Sequence, residues 1–191
     1  MENQEYQTAQ GVIERLRKNW LTGDTGILYT TKGMFVQDNP QLKDGRIVTP
    51  DFEALEARLG KTEEKGVIFS DDRNVRFTPY GFKRDSQTAL DLAKNPGVVA
   101  LVGSEENAER LARVSSHYKL NPYFWALTNV DSPQTRVAGL DTDVFGGRLV
   151  VDAGGSEDLD YRFSFGVLDE TSEAGSPKIK QGTGTGESPV I

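Results

Sequence analysis

A chain of 191 residues suffices for one domain with a terminal extension, and a 36% hydrophobic content gathered into short runs predicts a single modest core. A formal charge of -7 sets the average field against a phosphate backbone, so no nucleic-acid partner is expected, and the lack of cysteine excludes disulfides, thiolate metal sites and cysteine nucleophiles within the chain. No run approaches ~18 continuous apolar residues, and the opening Met1-Glu2-Asn3-Gln4-Glu5 lacks the basic and apolar parts of a secretory signal, which predicts a soluble protein without a membrane partner, cytoplasmic where it is made.

Ala9, Val12, Ile13, Leu16 and Trp20 recur at three- and four-residue spacing and lay one apolar stripe on a helix over residues 5–20. Gly23 and Gly26 break it, and residues 27–37 read as a hairpin around Gly33. Asp38, Asn39, Pro40, Asp44 and Gly45 predict an exposed loop. Thr49 reads as the N-cap of a helix with Pro50 in its first position, Asp51 and Glu53 at its positive end, Phe52, Leu55 and Leu59 on its buried side and Gly60 as its stop.

The β-rich runs 67–69 and 75–77 flank a polar turn from Ser70 to Asn74, and a further turn follows at residues 78–81. Asp85 or Ser86 is expected to cap a helix through Leu90 and Leu92 that ends at Asn95-Pro96-Gly97. Residues 98–102 are continuously apolar, as in a strand covered on both faces. Gly103-Ser104 opens a helix over residues 105–118 with Ala108, Leu111, Ala112 and Ser115 toward the sheet, and residues 123–127 return to β character. Residues 66–128 thus read as β-β-α-β-α-β, with right-handed crossovers making part of the sheet parallel.

Strands are expected at residues 136–140, 148–151 and 161–167, the last with Arg162, Ser164 and Gly166 alternating against Phe163, Phe165 and Val167. From residue 170 hydrophobicity collapses into Ser, Gly, Thr, Pro and charge, a composition that cannot fold alone. The fold class is α+β: a mixed sheet with an antiparallel C-terminal part, organised as an N-terminal helix (1–22), a body (23–169) and a tail (170–191).

Several residue groups suggest chemistry, and each has a simpler structural role. Arg15, Arg17 and Lys18 suit a solvated helix end. The glycines of residues 182–188 resemble a phosphate loop, but Glu187 stands where a lysine is required. At Gly103-Ser104 an anion would meet Glu105 and Glu106, so capping is the expected role. Asp141, Asp143 and Gly146, with Asp152 eleven residues after Asp141, copy part of a calcium loop, but Phe145 replaces an oxygen ligand and a hairpin explains the same residues.

Asp71-Asp72 and the cluster Glu157, Asp158 and Asp160 read as acidic turns, and His117, the single histidine, as a helix-end cation rather than a partner of Ser115 or Ser116. Tyr123-Phe124-Trp125 alternates faces on a strand, at least one of them core. No catalytic, metal or cofactor site is therefore expected. The predicted function is a non-enzymatic structural or assembly subunit. Its tail, with contacts at Lys178, Ile179, Lys180, Val190 and Ile191, would be ordered by neighbouring copies or a larger particle, a virion or phage being one setting. The alternative is a small-ligand or hydrolytic α/β module with its site beyond parallel strand ends, near Ser70 to Asp72, Gly103-Ser104 and Thr128-Asn129.

Overall fold

The computed structural model describes residues 21–44, 46–142, 147–155 and 163–164. The expected N-terminal helix, the C-terminal tail with its contact residues and glycine loop, and the acidic cluster at 157–160 lie outside these residues.

The centre is the hairpin of β1 (Leu21–Tyr29) and β2 (Gly33–Asp38). Ile27, Leu28, Tyr29, Met34, Phe35 and Val36 are all at most 2% exposed, so both faces of these strands are covered and no polar alternation survives in the sequence. Around them lie β5 (Leu59–Glu64), β6 (Val67–Ser70), β7 (Val75–Pro79), β8 (Asp85–Ser86), β9 (Tyr123–Trp125), β10 (Gln134–Thr142) and β11 (Leu149–Asp152). The order across the sheet is β5-β6-β7-β2-β1-β10-β11-β9-β8, with β12 (Phe163–Ser164) beside β1. A separate short ribbon of β3 (Leu42–Lys43) and β4 (Arg46–Ile47) occupies the turn-rich segment after β2.

One face of the sheet carries three helices: α2 (Ala89–Ala93), α3 (Pro96–Val102) and α4 (Glu105–Ser115). Leu92, Val98, Val99, Ala100 and Ala108 pack there against Met34, Val36, Phe69, Phe124 and Val151. The other face is covered locally by α1 (Phe52–Arg58), whose Phe52 meets Phe35 edge to face at 5.4 Å and whose Leu55 packs with Leu28 and Val75.

Residues 98–102 are a correction to the sequence reading: they form α3, a helix buried on every side, and not a central strand. A short, wholly apolar run has no period and suits either state, so its flanks decide. Asn95 Oδ1 accepts from the Gly97 N–H at 3.0 Å, Pro96 takes the first turn, and Gly103 closes the helix in the left-handed conformation at φ 83°.

The β-β-α-β-α-β reading and its parallel crossovers fall with this strand. Among the described residues β9 with β11 and β1 with β12 run parallel, and the other strand pairs are antiparallel. Two caps also differ. Asp51, not Thr49, caps α1, accepting from the Glu53 N–H at 3.0 Å, while Thr49 Oγ1 accepts from Thr135. Thr88 caps α2, because Asp85 and Ser86 are held as a strand by β9. The helix α1 ends at Arg58, and Gly60 lies inside β5.

Arg76 and Tyr29 are among the polar groups built into the core. Arg76 on β7 makes a two-pronged ion pair with Asp38, at 2.6 and 2.5 Å, and donates to the Arg73 carbonyl at 3.0 Å. Tyr29 donates its hydroxyl to the Ala153 carbonyl at 3.0 Å, and burial pushes its phenol above the ordinary value. In the unfolded chain this phenol ionises first, near pH 10, so the folded state binds the extra proton and loses stability as pH rises beyond that point. Denaturant melts between pH 8 and 11 are expected to show this fall, with a smaller fall in Tyr29→Phe; identical slopes in the two proteins would refute the assignment.

Candidate recognition surface

Alternation along β9 separates its three aromatics. Phe124 is fully buried in the helical-side core, and Tyr123 and Trp125 project from the opposite face. Their rings stack with centroids 6.5 Å apart and planes 19° apart. The strand itself is held on both sides, antiparallel to β8 and parallel to β11, where Val150 pairs with Tyr123 and Asp152 with Trp125.

Trp125 is 48% exposed yet seated. A Cβ added to Gly154 would stand 2.4 Å from the indole Nε1, so only glycine lets the ring lie against the backbone there. That backbone is pinned by Asp152 Oδ1, which accepts from the Gly154 N–H at 2.8 Å, and by the Ala153 N–H donating to the Trp125 carbonyl at 2.8 Å. The Tyr123 hydroxyl donates to Asp85 at 2.7 Å, and this bond to a carboxylate raises its phenol above the ordinary value. The Arg148 guanidinium carbon lies 6.0 Å from the Tyr123 ring centre, and Arg84 donates to the Ala126 carbonyl at 3.3 Å. The result is a fixed aromatic step flanked by a carboxylate and two guanidinium groups.

The other sequence candidates are drawn into structure. Asp72 accepts from the Ser70 hydroxyl at 2.5 Å, from the Asn74 N–H at 3.1 Å and from Arg58 at 2.9 Å, and the serine bond above all holds its carboxyl far below the usual range. Arg73, beside it, grips Glu64 at 2.8 and 3.0 Å, lies over the Phe69 ring and donates to the Gly103 carbonyl. Ser104 caps α4 by accepting from the Asn107 N–H at 3.1 Å, as its position after Gly103 predicted.

His117 lies exposed just past α4, and Ser115 and Ser116 bond back to carbonyls of their own helix. Asp141 stands on β10 and Asp152 on β11, two residues out of register with each other, while residues 143–146 lie outside the described chain. Among the described residues no three acidic or histidine side chains gather as metal ligands. Thr128 and Asn129 are exposed a few residues beyond the end of β9, the strand that runs parallel to β11.

The alternation of Tyr123, Phe124 and Trp125 left open which face would be covered, and Gly154, Arg84 and Arg148 carried no signal in the sequence. No protein-family model and no curated protein matches this chain. A solved structure described as "Accommodation of massive sequence variation in Nanoarchaeota by the C-type lectin fold" is similar to it, with a TM-score of 0.50 and 18% identity over 77% of this chain and 79% of that one. The likeness is one of fold, and it agrees with an α+β chain dominated by one large sheet.

Proposed function

We propose that this protein is a non-enzymatic recognition subunit that docks through Tyr123 and Trp125 onto copies of itself within a larger assembly, a virion or phage particle being one setting. The observation that carries this reading is the half-exposed indole of Trp125, lying against Gly154. Tryptophan, tyrosine and arginine dominate the energetics of protein interfaces, and a ring fixed before docking loses little entropy on contact. Asp85, Arg84 and Arg148 around it supply the polar rim that orients a partner. The tail, through Lys178, Ile179, Lys180, Val190 and Ile191, is a second contact element in this reading. The similar structure concerns a C-type lectin fold that accommodates massive sequence variation; a scaffold that accommodates such change suits a recognition role.

Size-exclusion chromatography with light scattering tests the proposal. The wild-type chain is expected at a multiple of 21.0 kDa, and Trp125→Ala is expected to weaken association by about tenfold to a hundredfold. Leu90→Ala, at another exposed apolar side chain, should leave it unchanged. A wild-type chain that runs as a monomer at every concentration, or a Trp125→Ala variant that assembles as well as the wild type, overturns it.

A further inference from the structure

Residues 170–191 hold a short repeat: Ser176-Pro177-Lys178-Ile179 recurs twelve residues later as Ser188-Pro189-Val190-Ile191. Gly182, Gly184 and Gly186 alternate with Thr183 and Thr185 between the two copies. A further Ser-Pro pair, Ser132-Pro133, leads into β10 and has no isoleucine after it.

In both copies of the motif the proline and the isoleucine stand two positions apart. On an extended chain such positions share a face and lie about 6–7 Å from each other, and the residue before a proline is itself biased toward that conformation. Tyr123 and Trp125 are also two positions apart on a strand, and their ring centroids are separated by 6.5 Å. The two pairs are therefore in step: a prolyl ring laid on one aromatic ring brings the isoleucine over the other. Aromatic side chains are a common seat for proline in extended ligands, because the ring is apolar and its fixed φ leaves less freedom to lose on binding. The position between the two anchors is Lys178 in one copy and Val190 in the other. Alternation turns it away from the rings, so a cation and an apolar side chain serve equally there.

Reach permits the contact between molecules. Ser164 pairs with Thr22 at the start of β1, and thirteen residues lead from it to Pro177. Extended, they span roughly 40 Å, well beyond the ~15 Å radius of gyration of a body of this size.

We infer that the Ser-Pro-x-Ile motif of one copy docks on the step of Tyr123 and Trp125 in another, proline on one ring and isoleucine on the other. This rests on the docking surface proposed above and names what the second copy brings to it. Each chain carries two motifs and one step, so one tail can hold two neighbours, and the first contact raises the effective concentration for the second.

Complementation between two full-length variants tests the inference. The acceptor, ¹⁵N-labelled, carries Pro177→Ala, Ile179→Ala, Pro189→Ala and Ile191→Ala, so it keeps the step and lacks both motifs; Trp20→Phe leaves Trp125 as its single indole. The donor is the unlabelled Trp125→Ala chain, which keeps both motifs. The acceptor indole signal is expected to shift and saturate as donor is added, and to stay in place when the donor also carries the four alanine substitutions. By light scattering, the four substitutions alone should weaken association about tenfold to a hundredfold, as Trp125→Ala does. Combining them with Trp125→Ala should cost nothing further, because both remove one contact. An indole signal that does not move at the highest donor concentration, or a combined variant weaker than either parent, overturns the inference. A four-substituted chain that assembles like the wild type, while Trp125→Ala does not, overturns it and leaves the docking surface standing. A wild-type chain that is monomeric at every concentration overturns both.

Discussion

Replacing Asn95 by alanine is expected to destabilise the protein by about 3 kcal/mol, which for a chain of this size lowers the melting temperature by roughly 6–12 °C. The side chain is 3% exposed and makes three bonds: it caps α3 at Gly97 and donates to the Lys83 carbonyl and to Gln87. Loss of a cap alone costs about 1 kcal/mol. The remainder comes from two acceptors left without donors, the part-buried Lys83 carbonyl and the buried Gln87 Oε1. Asn95→Asp keeps an oxygen for the cap but abolishes both donated bonds, so it should be destabilised as well and should free the loop at Lys83. Thermal unfolding followed by circular dichroism measures both. A loss below 1 kcal/mol for Asn95→Ala would show that α3 is held by its packing alone.

The second large effect concerns Arg76 and Asp38. Arg76 is 3% exposed along its side chain, whereas Asp38 is 34% exposed. Asp38→Ala leaves a guanidinium inside the protein with its main charge partner gone, and an uncompensated buried cation typically costs about 3–5 kcal/mol. Partial access of water to the Asp38 site places the expected value near the lower end, about 3 kcal/mol. The double variant Asp38→Ala with Arg76→Met removes the stranded charge and is expected to recover most of that loss. By contrast Lys32→Ala, which removes an ion pair with Glu56 whose side chains are 58% and 47% exposed, should change stability by less than about 1 kcal/mol. Urea denaturation of the four proteins separates these cases; a double variant no more stable than Asp38→Ala would refute the account.

Asn95 sets the orientation of Gln87, and Phe124 anchors the strand that presents Tyr123 and Trp125. In β9, core position and surface role are thus coupled within one short element.

Much of the local structure is legible in particular residues of the sequence. The hairpin turning at Gly33, the strands around the Ser70 to Asn74 turn, and α4 with its Ser104 cap and buried Ala108, Ala112 and Ser115 follow from turn chemistry and periodicity. These signals work because each depends on neighbours within one or two turns of chain. Residues 98–102 escaped because a run without polar residues carries no period, and only burial on all sides distinguishes helix from strand there. Asp85 and Ser86 escaped because β9, nearly forty residues away, claims them as a strand before they can cap a helix.

What the sequence determined by itself was therefore an α+β chain of net negative charge with a strand on which Tyr123 and Trp125 share a face opposite Phe124. The tertiary structure alone decided that helices cover the Phe124 face, that Gly154 comes close enough to seat the indole, and that Gln87 is left with a buried donor that meets no acceptor. The physical reason is range. Pleat and cap are short-range consequences of bond geometry, whereas burial and the pairing of a buried amide depend on groups brought together from distant parts of the chain.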